Sequence, residues 1–243
     1  MRLSDFSPYR TAGRIIAAAV ITLGFSFGLA STAGAAGSIT IYKNSLKSAD
    51  GRLEVRQFGS GNCKRGGSST AFRTRVGKST RECFYRLPTV GRDLEVTATA
   101  RIFKATPKKV RPRVYAAVNL RQARDGSRYQ LSYYPSGRRF HLKKVLDSGR
   151  VLNLANGKVG RQGKGFNDAN RLTLRAYNDI AGQPSGSARL VAVINGKRVS
   201  VVDDPRGNLL EGRDSTFSIG SKRGSNGALG SFRGIVMRLP NPF

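Results

Sequence analysis

Ala188-Arg189-Leu190-Val191-Ala192-Val193-Ile194-Asn195-Gly196-Lys197-Arg198-Val199-Ser200-Val201-Val202 reads as a strand, a two-residue turn and a returning strand. Asn-Gly tolerates the positive φ angles of a type I′ turn, and the twist of that turn matches paired strands. A hairpin is expected, with Ala188 to Ile194 pairing against Lys197 to Val202. The same period-two alternation recurs outward from it, in Arg171-Leu172-Thr173-Leu174-Arg175-Ala176-Tyr177 and from Leu94 to Ile102. Leu53 to Arg56 alternates too, and Phe232 to Leu239 reads as a last strand stopped by Pro240 and Pro242. Gly, Asn, Asp and Pro sit at the breaks, as between Gly157 and Gly165 and between Gly220 and Gly230, which read as loops. No long amphipathic helical pattern follows residue 40. Many short strands punctuated in this way predict an all-β chain folded as a two-sheet antiparallel β-sandwich.

Residues 111–145 read as a three-strand meander. Val114, Ala116, Val118 and Leu120 share one face; Tyr115, Ala117, Asn119 and Arg121 share the other. After a turn at Arg124 to Ser127, Tyr129, Leu131 and Tyr133 oppose Arg128, Gln130, Ser132 and Tyr134. After Pro135-Ser136-Gly137, Phe140 and Leu142 oppose Arg139, His141 and Lys143. With the apolar sides turned inward, one outer face should carry Arg113, Tyr115, Asn119, Arg121, Arg128, Gln130, Tyr134, Arg139, His141 and Lys143. Residues 101–150 hold 14 Lys or Arg against Asp125 and Asp147. Guanidinium forks grip carboxylate or phosphate bidentately, while a tyrosine ring offers a flat apolar surface to a sugar. The ten residues form a candidate ligand-binding face for an acidic polysaccharide or another envelope polyanion. The competing reading is a solvated face of an arginine-rich chain.

The N-terminus bears on compartment. Arg2, Arg10 and Arg14 precede an apolar stretch from Ile15 to about Ala30, and small residues lead to an exit at Ala33 and Ala35. That is the pattern of a secretory signal peptide over residues 1–36. An uncleaved anchor is the alternative, but about 16 residues broken by Gly24, Ser26 and Gly28 fall short of the ~20 a span requires. Beyond the leader, residues 37–69 are expected to be a lead-in and the start of a disulfide loop, with the sandwich over residues 70–243. No later segment is apolar enough to span a bilayer. Cys63 and Cys83 are the only cysteines. Export and an even count predict that they pair, closing a loop worth ~3 kcal/mol.

The chain carries 43 Lys and Arg against 14 Asp and Glu, a net charge of +29. Such a surface attracts polyanions without selecting among them. Nucleic acid would therefore bind nonspecifically, and export makes it the less natural partner.

The order of these pieces resembles the concanavalin A-like lectin/glucanase superfamily, the two-sheet jelly rolls that include laminin G-like modules. Gly91-Arg92-Asp93-Leu94-Glu95-Val96 opens a long strand. Val118-Asn119-Leu120-Arg121 precedes Tyr129-Gln130-Leu131, and Asn170-Arg171-Leu172-Thr173-Leu174 leads into the Asn195-Gly196 hairpin. Asp203-Asp204, Gly212, Gly220 and Gly230-Ser231-Phe232 complete the series, which covers roughly residues 70–239. The resemblance implies a jelly roll whose sheet face or loop rim holds a sugar, a polyanion or a protein.

Catalysis is not implied by that resemblance. Glucanases of the superfamily carry closely spaced acids, as in E-x-D-x-x-E, whereas the glutamates here are Glu54, Glu82, Glu95 and Glu211, none near another. Sequence-distant carboxyls such as Glu95 and Asp204 would have to meet in space to act as a hydrolytic pair. A nucleophilic site would need His141, the sole histidine, and there is no G-x-S-x-G. Two cysteines and one histidine make no usual zinc set. Gly77-Lys78-Ser79 has Phe72 where a phosphate loop begins with Gly. Some relatives hold calcium with loop carboxylates, but Arg206 follows the one adjacent pair, Asp203-Asp204. The expectation is a secreted, non-catalytic binding module without cofactor. A glycan-cleaving enzyme of the same fold and a structural envelope protein are the alternatives.

Overall fold

A computed structural model describes residues 38–48, 52, 54–59, 61–178, 182–206, 212–221 and 227–240. The expected leader, residues 1–36, lies outside them, as does Leu53 of the short alternating segment. Alternation becomes strand after strand: β1 (Ile39–Asn44), β2 (Arg56–Phe58), β3 (Cys63–Ser68), β4 (Ala71–Val76) and β5 (Glu82–Val90). There follow β6 (Glu95–Ile102), β7 (Val114–Gln122), β8 (Arg128–Tyr134), β9 (Arg139–Val145) and β10 (Val151–Lys158). The last five are β11 (Asn170–Asn178), β12 (Ala188–Ile194), β13 (Lys197–Asp204), β14 (Asp214–Ser221) and β15 (Leu229–Leu239).

These strands form two antiparallel sheets packed as a sandwich. An eight-stranded sheet runs β13-β12-β11-β6-β15-β4-β3, and β1 joins it along β15. β4 borders Leu229–Phe232 of β15 and β1 borders Ile235–Leu239, the change of partner falling at Gly234, where φ is +63°. A seven-stranded sheet runs β10-β9-β8-β7-β14-β5-β2. Residues 39–68, expected as a lead-in, thus supply three strands to the two sheets. Their Gly, Ser and Lys content hid strands whose pairing comes from partners distant in sequence. The glycine-rich loop expected from Gly157 likewise begins inside β10, and the one expected from Gly220 begins inside β14.

The Asn195-Gly196 hairpin has positive φ at both turn residues, +51° and +83°, which is the type I′ geometry. Its strands pair Ile194 with Lys197 and Ala188 with Asp204. The meander is also present as β7, β8 and β9.

The inner faces meet in a core of aliphatic and aromatic side chains. Phe72 and Phe232 of one sheet interlock with Tyr85 and Phe217 of the other, with ring centroids 4.4–5.7 Å apart. One covalent and one ionic tie cross the same space. Cys63 on β3 is bonded to Cys83 on β5, joining the two sheets covalently. Lys144, which alternation places on the inner face of β9, gives its ammonium to Asp204 on β13 at 2.6 Å. Tyr129 donates to the same carboxylate oxygen at 2.6 Å. Among the described residues no helix is long and apolar enough to cross a membrane.

Candidate functional site

The outer face of the seven-stranded sheet is built by register. Lys143, Gln130, Asn119 and Thr216 stand in one cross-strand row, and His141, Ser132, Ala117, Ser218 and Phe84 in the next. Neighbours in such rows touch, because paired strands are only about 5 Å apart. Tyr134 packs against Tyr115 at 5.3 Å and edge-on against His141 at 5.1 Å.

One carboxylate organises this face. Glu82, the first residue of β5, accepts from Gln130 Nε2 at 2.8 Å and Ser218 Oγ at 2.5 Å on one oxygen. The other oxygen accepts from Tyr115 OH at 2.8 Å and Arg128 Nη2 at 3.1 Å. Tyr115 reaches Glu82 over Gly220, where a Cβ would lie 2.6 Å from the phenol ring. Arg128 lies over the ring of Phe84 at 4.7 Å, and Lys143 over that of Tyr115 at 5.7 Å. Burial raises the Tyr115 phenol well above its ordinary value, and the Glu82 charge adds to it. Tyr134 is raised for the same two reasons. Both phenols therefore remain neutral donors through the physiological range.

Beside Glu82 the face opens into a cleft of about 500 Å³, lined by Arg81, Tyr115, Arg128, Gln130, Lys143 and Ser221 among others. Two buried polar atoms of residues that line it, Arg128 Nε and Ser221 Oγ, have no hydrogen-bond partner among the described residues and are themselves closed off from solvent. Such orphans are uncommon and costly in a folded chain.

The ten residues expected to share this face divide as follows. Tyr115, Arg128, Gln130 and Lys143 line the cleft, and Tyr134 and His141 pack beside them. Arg139 is exposed on β9 opposite Lys158. Asn119 belongs to the face but is fully buried, its amide given to Thr216 at 2.9 Å and Ser218 at 3.3 Å. Two residues do not join the face. Arg113 closes a 3-10 turn before β7 and donates to the Lys109 carbonyl, so it is outside the sheet. Arg121 has φ +54° where β7 shifts register against β14, and strict alternation fails there. Its guanidinium turns inward over the Tyr129 ring and donates to Asn178 Oδ1 at 2.5 Å and the Arg92 carbonyl at 3.4 Å. The face is also far less exposed than alternation suggested: Tyr115, Gln130 and Tyr134 are each at most 6 % accessible.

Glu82, Ser218 and Arg81 are site residues that the sequence reading did not single out. Glu82-Cys83-Phe84-Tyr85-Arg86 does alternate, so the outward placement of Glu82 was legible. Its meeting with β7 and β8 was not, because β14 intervenes from far along the chain. Among the described residues the other carboxylates lie apart from the cleft. Glu95, on the outer face of the eight-stranded sheet, is held by Arg175 and Arg238, while Asp204 lies between the sheets, so these two do not meet. Asp203 is paired with Arg189 and Asp214 with Arg86. Among the described residues no three His, Cys, Asp or Glu side chains gather as a metal set.

Sheet order defines a two-sheet antiparallel jelly roll, a fold shared with solved structures. A protein of unknown function with a galectin-like fold from Bacillus subtilis superposes with TM-score 0.59 and 13% identity, covering 83% of this chain and 96% of that one. A carbohydrate-binding module from Bacillus subtilis gives 0.52 and 13%, covering 76% and 95%. An alginate lyase from a Chlorella virus gives 0.54 and 11%, covering 83% and 100%. At such identities the likeness is one of fold. No protein-family profile matches the sequence, and no curated protein matches it.

Proposed function

We propose that this chain is a secreted, non-catalytic module that binds an acidic polysaccharide in the cleft beside Glu82. The observation that carries the reading is the set of three cations, Arg81, Arg128 and Lys143, that line one cleft together with Tyr115. A carboxylate-bearing sugar supplies acceptors for these cations, and the cleft volume falls within the several hundred Å³ typical of small-ligand sites. Glu82 fixes Tyr115, Gln130 and Arg128 in place beforehand, which lowers the ordering cost of binding. The sandwich-shaped neighbours support a sugar ligand, since one is a carbohydrate-binding module and another acts on alginate, itself an acidic polysaccharide. The leader pattern and the disulfide support export.

Binding fits this chemistry better than hydrolysis. Glu82 is the one carboxylate lining the cleft among the described residues, and all its hydrogen bonds point to fixed protein donors. Hydrolysis by the usual route needs a second carboxyl about 5–9.5 Å away. Proton abstraction by a phenolate is disfavoured by the upward shifts of Tyr115 and Tyr134.

The test is affinity electrophoresis in gels cast with polygalacturonate or with neutral dextran, each at about 0.5 M salt, where charges screen within roughly 5 Å. Retardation in polygalacturonate alone, lost on Lys143→Gln, is expected. Equal mobility in both gels would leave only unspecific charge attraction.

A further inference from the structure

The opposite side of the molecule carries a second constellation, unrelated to the cleft. On the outer face of the eight-stranded sheet, Ser231 of β15 pairs with Arg73 on one side and Arg101 on the other. One row along, Thr99 of β6 pairs with Arg233 on one side and Arg171 on the other. Two hydroxyls are thus each flanked by two arginines, in an alternating lattice across β4, β15, β6 and β11. Strand spacing puts the flanking α-carbons about 10 Å apart, within reach of two guanidinium groups closing on one anion.

Charge balance sets these four arginines apart from Arg175, Arg238 and Arg189 on that face. Glu95 is neutralised by Arg175 and Arg238, and Asp203 by Arg189. Among the described residues no carboxylate lies within ion-pair distance of Arg73, Arg101, Arg171 or Arg233. Arg73 is steadied instead by the ring of Phe103, 5.7 Å from its guanidinium carbon. Arg73, Arg101 and Arg233 line a shallow depression of about 60 Å³, with Thr99 and Ser231 on its floor. That is far below the roughly 300 Å³ at which pockets begin to enclose whole ligands. It suits a substituent carried by a longer molecule. A hydroxyl between two guanidinium forks offers donors from three directions, which matches a tetrahedral oxyanion better than a planar carboxylate.

We infer that the Arg73–Ser231–Arg101 and Arg233–Thr99–Arg171 rows are a second anion site, for sulfate or phosphate ester groups borne on a polymer. With the cleft on the other sheet, the module would hold two acidic partners at once and cross-link them.

The experiment measures retention on immobilised dextran sulfate, with Arg101→Gln/Arg233→Gln against Lys197→Gln/Arg198→Gln, an exposed pair of equal charge on the β12–β13 hairpin. Both pairs are made in the Lys143→Gln background, so that failure of the cleft reading cannot mask the result. Loss of at least about tenfold in affinity for the first pair, and under about twofold for the second, is expected, since a charge-assisted contact is worth about that factor. Elution by polyphosphate with the same dependence on the first pair would support the assignment and point to phosphate as a source. Equal losses for the two pairs would overturn it. Equally tight, pair-dependent retention on polygalacturonate would overturn the tetrahedral preference.

Discussion

The phenol of Tyr115 donates to the carboxylate of Glu82 at 2.8 Å, and it does so by lying across the α-carbon of Gly220 on the strand between them. Gly220 therefore serves close approach, not backbone freedom. A methyl group there would press on the ring at 2.6 Å and the Glu82 side chain at 3.0 Å.

Gly220→Ala is expected to push Tyr115 off Glu82 and destabilise the fold by about 1–3 kcal/mol, the usual cost of overpacking. Urea denaturation reads the loss, and the bond should be absent from the variant's structure. An unchanged midpoint would mean that the ring is not held there.

Acid should expose the tie between the sheets. Burial pushes the Asp204 carboxyl upward, but bonds from Lys144, Tyr129 and the Arg206 amide outweigh it and leave the group below its ordinary value. A carboxyl depressed in the folded state stabilises the fold at pH values above the unfolded value, about 3.9. That contribution is lost as pH falls through the folded value. The wild-type midpoint should drop below about pH 4. Asp204→Asn should cost about 3 kcal/mol at pH 7, by stranding the buried Lys144, and should flatten the acid limb. An acid limb as steep in the variant as in the wild type would assign it to other groups.

Cys63 and Cys83 stand 20 residues apart in sequence and on different sheets. Replacing both with alanine should lower unfolding free energy by about 3 kcal/mol, chiefly by freeing the unfolded chain. Denaturation with and without reductant reads this directly; reductant should shift the wild type and leave the double variant unmoved.

Period-two alternation carried most of the fold. It placed the Asn195-Gly196 hairpin, the three strands around Gln130 and the faces of Tyr129 and Lys143, because side-chain direction in a strand is local. It failed where local order breaks, as at Arg121 with its positive φ, and where pairing comes from afar, as in β1 to β3. The site was legible as a list of neighbours within one meander. Its centre was not, since Glu82 meets Tyr115 and Gln130 only after β14 inserts between β5 and β7. Nor did arginine count distinguish Arg128, tied to Glu82, from Arg101 and Arg233 on the opposite sheet.

The most direct measurement is amide chemical-shift mapping of the labelled protein titrated with a trigalacturonate at about 0.5 M salt, where long-range attraction is screened. Saturable shifts should concentrate at residues 80–84, 128–130, 143–145 and Ser221, and Lys143→Gln should weaken them. Shifts spread evenly over both sheets, or confined to residues outside the cleft, would contradict a built acidic-sugar site beside Glu82.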